Sequence, residues 1–222
     1  MTTAPQKFLP RLFIVALSVL ILACEDSSTA VRGSGPVVTR TLNLDDIRGL
    51  AVSGSQNVVV TQGSPQEIVV EGQANLIDIL STRVRDGIWE VRFTENVRNV
   101  EDFTVFVTIP DVDLVSVSGS GNVSSDGDLV LDILSVTVSG SGNVSLAGTV
   151  NEQTAIVSGS GEVSNYNLSS SQTTATVSGS GAVRVTATEA LNATVSGSGT
   201  IQYRGNPTVN STVTGSGQVT EG

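Results

Sequence analysis

The second half of the sequence repeats an alternation of branched apolar and small polar residues. A Ser/Thr-Gly-Ser-Gly tetrad occurs six times, with starting points 18–21 residues apart, at Ser118, Ser139, Ser158, Ser178, Ser196 and Thr214. A valine directly precedes each tetrad, at Val117, Val138, Val157, Val177, Val195 and Val213. A second branched residue stands two positions after each tetrad, at Val123, Val144, Val163, Val183, Ile201 and Val219. Because these twelve residues keep register with the tetrads, the segment is a structural repeat and not a flexible Gly/Ser linker.

The alternation around each tetrad predicts β-strands. In Val-Thr-Val-Ser at 136–139, apolar residues recur at every second position, which is the period of a strand with one buried face. Strands repeated in this way predict one rung per repeat, with equivalent valines stacked in columns about 4.8 Å apart. No proline lies between residues 111 and 206, so each rung can donate all its N–H groups to the next. We therefore expect an all-β fold, a single-chain parallel β-helix of right-handed winding.

The glycines of the tetrads are predicted to form a tight corner between two strands. By strand parity, Gly119 and Gly121 point to the same side as Val117 and Val123, where the corner leaves no room for a side chain. Glycine also permits positive φ and the close approach of two backbones. The same role in structural turns is expected for all twelve tetrad glycines: Gly119, Gly121, Gly140, Gly142, Gly159, Gly161, Gly179, Gly181, Gly197, Gly199, Gly215 and Gly217.

Residues 37–114 show the same chemistry with irregular spacing. The segment from Val52 to Val58 is a degenerate copy of the repeat in which Gln56 replaces the second glycine. The dipeptide Asp86-Gly87 between two strand-like runs predicts a two-residue hairpin. Strand-like runs lie at 58–61, 68–71, 88–93 and 103–109, and one helical turn at 74–80. We predict one β-solenoid domain (37–222), with irregular opening rungs and an antiparallel cap (37–114) followed by six repeats (115–222).

Residues 1–23 are predicted to be a lipoprotein signal peptide. The apolar run at 12–22 is too short to cross the ~30 Å hydrocarbon core as a helix. The stretch Ile-Leu-Ala-Cys at 21–24 resembles the bacterial lipobox, which predicts that Cys24 carries acyl chains such as palmitate. Residues 24–36 are then the lipidated cysteine and a polar, flexible linker. We expect a bacterial envelope protein, anchored to the outer membrane by lipid and facing the periplasm or the cell surface.

Composition removes several classes of function. The 222 residues include no histidine, so imidazole serves neither as a general base nor as a metal ligand. Cys24 is the only cysteine, which excludes a disulfide within the chain. Residues 24–222 hold nine basic and 21 acidic side chains, a net charge of −12, and such a surface repels nucleic acid. We expect no cofactor.

The carboxylates offer one candidate for catalytic chemistry. Asp126 and Asp128 could share a face and hold a weak calcium site, or they are solvated side chains of the turn at Gly127. Further carboxylates that an enzyme acting on polysaccharides could use are Asp111, Asp113 and Asp132. Serine catalysis is excluded, because no histidine can activate a hydroxyl and the tetrads never read Gly-x-Ser-x-Gly.

Surfaces for binding are easier to propose than catalytic sites. The outward Ser, Thr, Asn and Gln side chains of a rigid solenoid face could hydrogen-bond glycans or surface proteins at many points. Tyr166 and Tyr203 could stack on sugar rings, or they pack in the core or at an edge. The last rung offers a strand edge through which we expect homo-oligomers to form.

Residues 47–93 read IRGLAVSGSQNVVVTQGSPQEIVVEGQANLIDILSTRVRDGIWEVRF. This string and the closing Gly-Ser-Gly repeats resemble a family of bacterial exported proteins described as "putative auto-transporter adhesin, head GIN domain", over roughly residues 40–219. The resemblance implies a β-solenoid similar in shape to the pectate lyases, with no established catalytic residues and a role in adhesion. We expect a non-catalytic adhesive, structural or binding protein. The alternative is a polysaccharide-binding protein, or a lyase or hydrolase, of the pectate-lyase shape.

Overall fold

The computed structural model describes residues 30–98, 100 and 102–222. The predicted signal peptide, Cys24 and residues 25–29 of the predicted linker lie outside the described residues. Within the part of the chain that is described, no helix is long and apolar enough to cross a membrane.

Strands make up nearly all of the regular structure, so the predicted all-β class is confirmed: of the residues that the structure describes, 69% are strand and 2% helix. The first nine strands are β1 (Val31–Arg32), β2 (Val37–Leu42), β3 (Gly49–Gly54), β4 (Asn57–Gln62), β5 (Glu67–Gln73), β6 (Val84–Arg85), β7 (Ile88–Val91), β8 (Val97–Arg98) and β9 (Thr104–Ile109). The helical turn α1 (Ala74–Ile77) separates β5 from β6, close to where the sequence predicts it. The remaining strands are β10 (Leu114–Gly119), β11 (Asn122–Ser125), β12 (Leu129–Gly140), β13 (Asn143–Ser145), β14 (Gly148–Gly159), β15 (Glu162–Gly179), β16 (Ala182–Gly197), β17 (Thr200–Arg204), β18 (Thr208–Gly215) and β19 (Gln218–Glu221).

The strands wind into a parallel β-solenoid of about five turns, as the repeat predicts. The strand segments that precede each corner form what we call the first side, and they pair in the order β3, β10, β12, β14, β15, β16, β18. The segments that follow each corner form the second side, which pairs in the order β4, β11, β13, β15, β16, β17, β19. The first two residues of each tetrad pair directly with their equivalents in the neighbouring rungs, so the register read from the sequence is confirmed.

The predicted valine columns fill the inside of the solenoid. Val117, Val138, Val157, Val177 and Val195 are successive partners on the first side, and each is fully buried. Branched side chains suit this position because their few χ1 rotamers pack against identical neighbours above and below. Only a rung with two neighbours gains the full contact.

The valine columns do not stay buried as far as the last rung. Val213 is 44% exposed, and Val219 is only partly buried. The rung that contains them contacts one neighbour along the axis, through β16 and β17. In the described residues no strand pairs with the outer edges of β18 and β19. Pairing of this edge with a second copy stays a prediction.

The two glycines of each tetrad are required for different reasons. Gly179 has a φ of +119°, and a Cβ there would lie 2.7 Å from the carbonyl oxygen of Gly159 in the rung below. Gly181 does not have positive φ, which corrects the expectation that both glycines use it. A Cβ on Gly181 would instead lie 2.4 Å from the Gly161 carbonyl oxygen and 2.5 Å from Cγ1 of Val157. Close packing of rungs therefore excludes a side chain at both positions.

The opening half caps this stack with the predicted antiparallel strands. β7 and β9 pair in parallel with β3 and β4, on the side opposite to β10 and β11. The rung formed by β3 and β4 therefore comes first in the chain but lies second in the stack, between the β7–β9 layer and the rung of β10 and β11. β5 then pairs antiparallel with β9, and β2 pairs antiparallel with β5. These antiparallel strands close one end of the sheet.

The hairpin predicted at residues 86–87 is present. β6 and β7 pair antiparallel, and Asp86 and Gly87 both have positive φ, at 51° and 77°. This is the geometry of a two-residue turn between twisted strands. The hairpin places Trp89 in the core, where its indole N–H donates to the carbonyl oxygen of Ser81 at 2.8 Å.

The folded domain reaches back into the predicted linker. Val31 and Arg32 form β1, which pairs in parallel with β8. The side chain of Asn75 accepts from the N–H of Ser34 at 3.1 Å and donates to the carbonyl oxygen of Arg32 at 2.8 Å. Residues 31–34, predicted from the sequence to be linker, therefore contact the domain.

Candidate functional site

The first side of the solenoid presents three outward columns, in which all residues but Ala51, Ile156 and Leu114 are small and polar. The column nearest the corner contains Ser53, Ser118, Ser139, Ser158, Ser178, Ser196 and Thr214. The next column contains Ala51, Ser116, Thr137, Ile156, Thr176, Thr194 and Thr212. The third contains Leu114, Ser135, Thr154, Thr174, Asn192 and Asn210. We call this surface the hydroxyl face.

The hydroxyl face is regular because the backbone behind it is regular. Rungs recur about every 4.8 Å along the axis, and outward residues recur about every 6.6 Å along a strand. The serine column is exposed from Ser118 to Ser196, so its hydroxyls are free to contact a ligand. The polar groups of the hydroxyl face, from Ser116 to Thr214, are uncharged alcohols and amides. Such a surface can hydrogen-bond many times to another repeating polar surface, weakly at each point.

The second side carries a ladder of longer polar side chains. Asn122 donates to Oδ1 of Asn57, and Asn143 donates to Oδ1 of Asn122, both at 3.0 Å. Farther along the stack Arg184 forms an ion pair with Glu162 and donates to Oε1 of Gln202 at 2.9 Å. Because these side chains form hydrogen bonds and an ion pair with one another, fewer of their polar groups are available to a ligand than on the hydroxyl face.

The two tyrosines predicted as sugar platforms lie near this ladder. The guanidinium of Arg204 lies over the ring of Tyr166, 3.9 Å from its centroid, so one face of that ring is already covered. Tyr203 is partly buried and packs against the apolar core. The packing role named as the alternative in the sequence analysis thus matches the geometry of both residues, and sugar stacking stays a prediction.

The candidate carboxylates are dispersed. Asp126 and Asp128 are both exposed, on either side of Gly127, which has a φ of 84°. Asp113 pairs with Arg48, and Asp132 accepts from Nδ2 of Asn151 at 2.7 Å. No cluster of three or more potential metal ligands is present among the residues that the structure describes. A weak calcium site at Asp126 and Asp128 stays a prediction.

One further feature is a cavity of about 420 Å³ at the first corner of the stack, which sequence reasoning did not identify. Its lining includes the corner residues Ser53, Gly54, Ser55 and Gln56, the neighbouring corner residues Gly119 and Ser120, and Phe93, Glu95, Asn96 and Val97. Gln56 is 2% exposed, and its Oε1 has no hydrogen-bond partner among the described residues. The substitution of Gln56 for a repeat glycine was the only sign of this cavity in the sequence.

Comparison with known proteins agrees with this architecture. A protein from Bacteroides fragilis described as a "putative adhesin" superposes with a TM-score of 0.72 at 22% identity, over 86% of this chain and 100% of that chain. A "putative adhesin" from Parabacteroides merdae gives a TM-score of 0.57 at 22% identity, over 86% and 98% of the two chains. A "putative lipid binding protein" from Parabacteroides distasonis gives 0.56 at 21% identity, over 86% and 99%. At these identities the likeness shows the fold.

The family is identified by comparison of the sequence with family models. No curated protein matches the sequence. The family model described as "Putative auto-transporter adhesin, head GIN domain" matches residues 46–207, which include the opening string, the first corner and five of the six tetrads. Because that match spans most of the chain, this protein belongs to the auto-transporter adhesin, head GIN domain family.

Proposed function

We propose that this protein is a non-catalytic adhesin of a bacterial cell envelope, held to a membrane by lipid at Cys24 and binding glycans or surface proteins through its solenoid. Membership of an adhesin family suggests a place in the envelope or at the surface, and a role other than catalysis. The observation that carries the proposal is the hydroxyl face, a rigid array of exposed alcohols repeated over successive rungs. Adhesion needs many weak contacts at fixed spacing, which this face supplies.

The lipid anchor is supported by the order of segments in the chain. The lipobox-like stretch ends at Cys24, and the first described strand, β1, begins at Val31. Six residues lie between them. Fully extended, six residues reach about 20 Å, which holds the domain close to the membrane surface.

Metabolic labelling with a clickable palmitate analogue tests the anchor. Cells that express the full chain should incorporate the label, and Cys24→Ser should abolish it and release the protein from the membrane fraction. Ser27→Cys in the Cys24→Ser background is the matched control, since it restores a thiol three residues away without the lipobox. Labelling of the Cys24→Ser chain would contradict the anchor.

Adhesion of whole cells tests the role of the hydroxyl face. Cells displaying the full chain should adhere to glycan-coated surfaces more than cells without it. The double variant Ser158→Arg and Ser178→Arg places two large cations in the exposed serine column and should reduce adhesion. The control is Val130→Arg and Thr149→Arg, which are exposed partners on adjacent rungs but lie outside the hydroxyl face. Equal loss in both variants would contradict a role specific to this face.

A sugar-release assay tests the enzymatic alternative. The full chain is incubated with neutral and acidic polysaccharides in the presence of calcium, and we expect no release of reducing or unsaturated ends. Release that disappears in the Asp126→Asn and Asp128→Asn double variant would replace the adhesin proposal with the polysaccharide-cleaving one.

A further inference from the structure

The first corner of the solenoid departs from the repeat at one residue. Gly54 pairs with Gly119 and Asn57 pairs with Asn122, so Gln56 occupies the position that Gly121 occupies in the next rung. At Gly121 and its equivalents a Cβ would clash with the rung below, which is why glycine recurs there. A glutamine can occupy this position only if nothing stacks beneath it.

The strands below this corner do turn away. Pairing of β3 with β7 ends at Val52, and pairing of β4 with β9 begins at Asn57, so neither strand lies under residues 53–56. The chain that leaves β7 instead contributes Val97 and Arg98 to β8, beside β1. The space left open is the cavity of about 420 Å³, which is the size of a small-molecule site.

Two hydrogen-bonding groups of the corner have no partner among the residues that the structure describes. In the six later corners the N–H of the serine between the two glycines donates to a glycine carbonyl in the rung below, at 2.8–2.9 Å. The equivalent N–H belongs to Ser55, and no backbone carbonyl among the described residues accepts it. Oε1 of Gln56, beside Gly54, is buried and also unpaired. Because a buried acceptor without a partner is costly, Oε1 of Gln56 is suited to a ligand donor, and the N–H of Ser55, an exposed residue, is accessible to a ligand acceptor.

The lining determines which ligand suits the cavity. It offers the hydroxyls of Ser53 and Ser120, the amide of Asn96 and the carboxylate of Glu95, next to an apolar wall that includes Phe93. No basic side chain is among the described residues that line it, which disfavours an anion. A single carboxylate provides too few hard oxygen ligands for a metal ion. Mixed donors and acceptors beside an aromatic ring match the hydroxyl groups and the C–H face of a sugar.

We infer that this corner cavity binds one neutral saccharide residue, and that Gln56 and the N–H of Ser55 bind its hydroxyl groups. The inference rests on the proposed adhesive function and gives it a specific ligand class. The hydroxyl face would then make many weak contacts with a glycan chain, while the cavity binds the sugar unit at the end of that chain. The same sugar chemistry could come from a free sugar or from the end of a glycan chain.

The test is binding of neutral oligosaccharides to the full chain in a sugar-free detergent. The panel contains tetrasaccharides that end in glucose, galactose, mannose or N-acetylglucosamine, together with the free monosaccharides, and binding is followed by saturation-transfer NMR and titration calorimetry. We expect at least one tetrasaccharide to bind with a Kd below about 1 mM. Tighter binding of that tetrasaccharide than of its monosaccharide identifies a glycan chain as the source, and equal binding identifies a free sugar.

Two variants should weaken this binding about tenfold or more. Gln56→Gly restores the residue found at every later corner and removes the buried amide, and Ser120→Leu fills the mouth of the cavity. Ser141→Leu is the control, since Ser141 is exposed at the same position one rung farther along and is not part of the lining. Circular dichroism confirms that each variant is folded.

The possible failures separate the inference from the proposed function. If oligosaccharides bind but Gln56→Gly and Ser120→Leu leave the affinity unchanged, the cavity is not the site, while adhesion through the hydroxyl face stands. If no oligosaccharide binds but cells displaying the chain still adhere, the saccharide inference is wrong and the adhesin proposal survives. Loss of adhesion as well would overturn both.

Discussion

The two halves of this domain bury apolar surface in different ways. From β10 onward, rungs stack on near copies of themselves, and the core consists mainly of valine, leucine and alanine in columns. In the opening half, parallel and antiparallel strands meet, and the core contains Trp89, Phe93 and Phe103. The rings of Phe93 and Phe103 pack edge to face, with centroids 4.9 Å apart.

This difference shows what a repeat requires and what a cap requires. A stacked rung needs side chains that pack on identical neighbours, and branched aliphatic residues meet that need. A cap must end the stack, so it needs larger and more varied side chains to cover the last rung, and antiparallel strands to complete its sheet. Stability in the repeats is therefore shared between nearest neighbours, whereas in the cap it depends on particular contacts.

The largest effect is expected from a charge in a valine column. Val177 is fully buried between Val157 and Val195, so Val177→Asp should lower the free energy of unfolding by more than about 3 kcal/mol, because the carboxylate would have no partner there. Urea unfolding followed by circular dichroism measures the change. Ser178→Ala, at the exposed adjacent position, should have almost no effect. Equal midpoints for both variants would show that the assigned register is wrong.

A methyl group at a stacked corner should be the next most damaging change. Gly179→Ala combines a positive φ with a clash against the Gly159 carbonyl oxygen, and should cost more than about 2 kcal/mol of unfolding free energy. Gly127→Ala is the control, since Gly127 also has positive φ, at 84°, but has open space around its Cα. We expect about 1 kcal/mol there from backbone strain alone. If both variants are equally stable in urea, close stacking is not what selects glycine at the corners.

Two side-chain amides, Gln153 in the repeats and Gln66 in the opening half, should change stability in opposite directions when replaced by leucine. Gln153 pairs with Leu134 inside the repeats, and neither atom of its amide has a partner among the described residues, so Gln153→Leu should stabilise by about 1–2 kcal/mol. In the opening half Gln66 accepts from the N–H of Ile47 at 2.8 Å and donates to the carbonyl oxygen of Asp45 at 3.1 Å. Gln66→Leu should destabilise by about 1–2 kcal/mol, because it leaves a buried N–H unpaired. The comparison is made by thermal unfolding, and changes of the same sign would contradict it.

The smallest effect is expected at the asparagine ladder that joins the halves. Asn122 bonds to Asn57 in the opening half and to Asn143 in the repeats. Because the ladder is exposed to water, Asn122→Ala should cost no more than about 1 kcal/mol in urea unfolding. A larger loss would mean that this ladder, rather than the buried columns, connects the cap to the repeats.

The parts of the fold that the sequence predicts are those fixed by local pattern. The register of the valine columns, the outward serines and the hairpin at Asp86-Gly87 each depend on residues close together in the chain, and each is confirmed. The order of the stack is not local. That β7 and β9 lie on the far side of β3 and β4 depends on contacts between distant segments, and no period in residues 37–114 indicates it.

The candidate site likewise has one part that local pattern predicts and one part that depends on distant contacts. The hydroxyl face follows directly from strand parity, so it could be predicted. The corner cavity could not, since it depends on where the chain goes after Val91, although Gln56 stood out as an exception to the glycine pattern. The pairing of Tyr166 with Arg204 was also missed, because the two residues lie 38 positions apart and on different rungs.

Distances between equivalent positions on the rungs test the stacking most directly. Nitroxide labels are attached in pairs in a Cys24→Ser background, with one label at Ser53→Cys and the second at Ser139→Cys, Ser178→Cys or Thr214→Cys, which lie two, four and six rungs away. Stacked rungs predict pulsed electron paramagnetic resonance distances of about 10, 19 and 29 Å, growing by about 4.8 Å per rung. Distances that do not grow in proportion to the number of rungs, or broad distributions typical of a flexible chain, would contradict the solenoid.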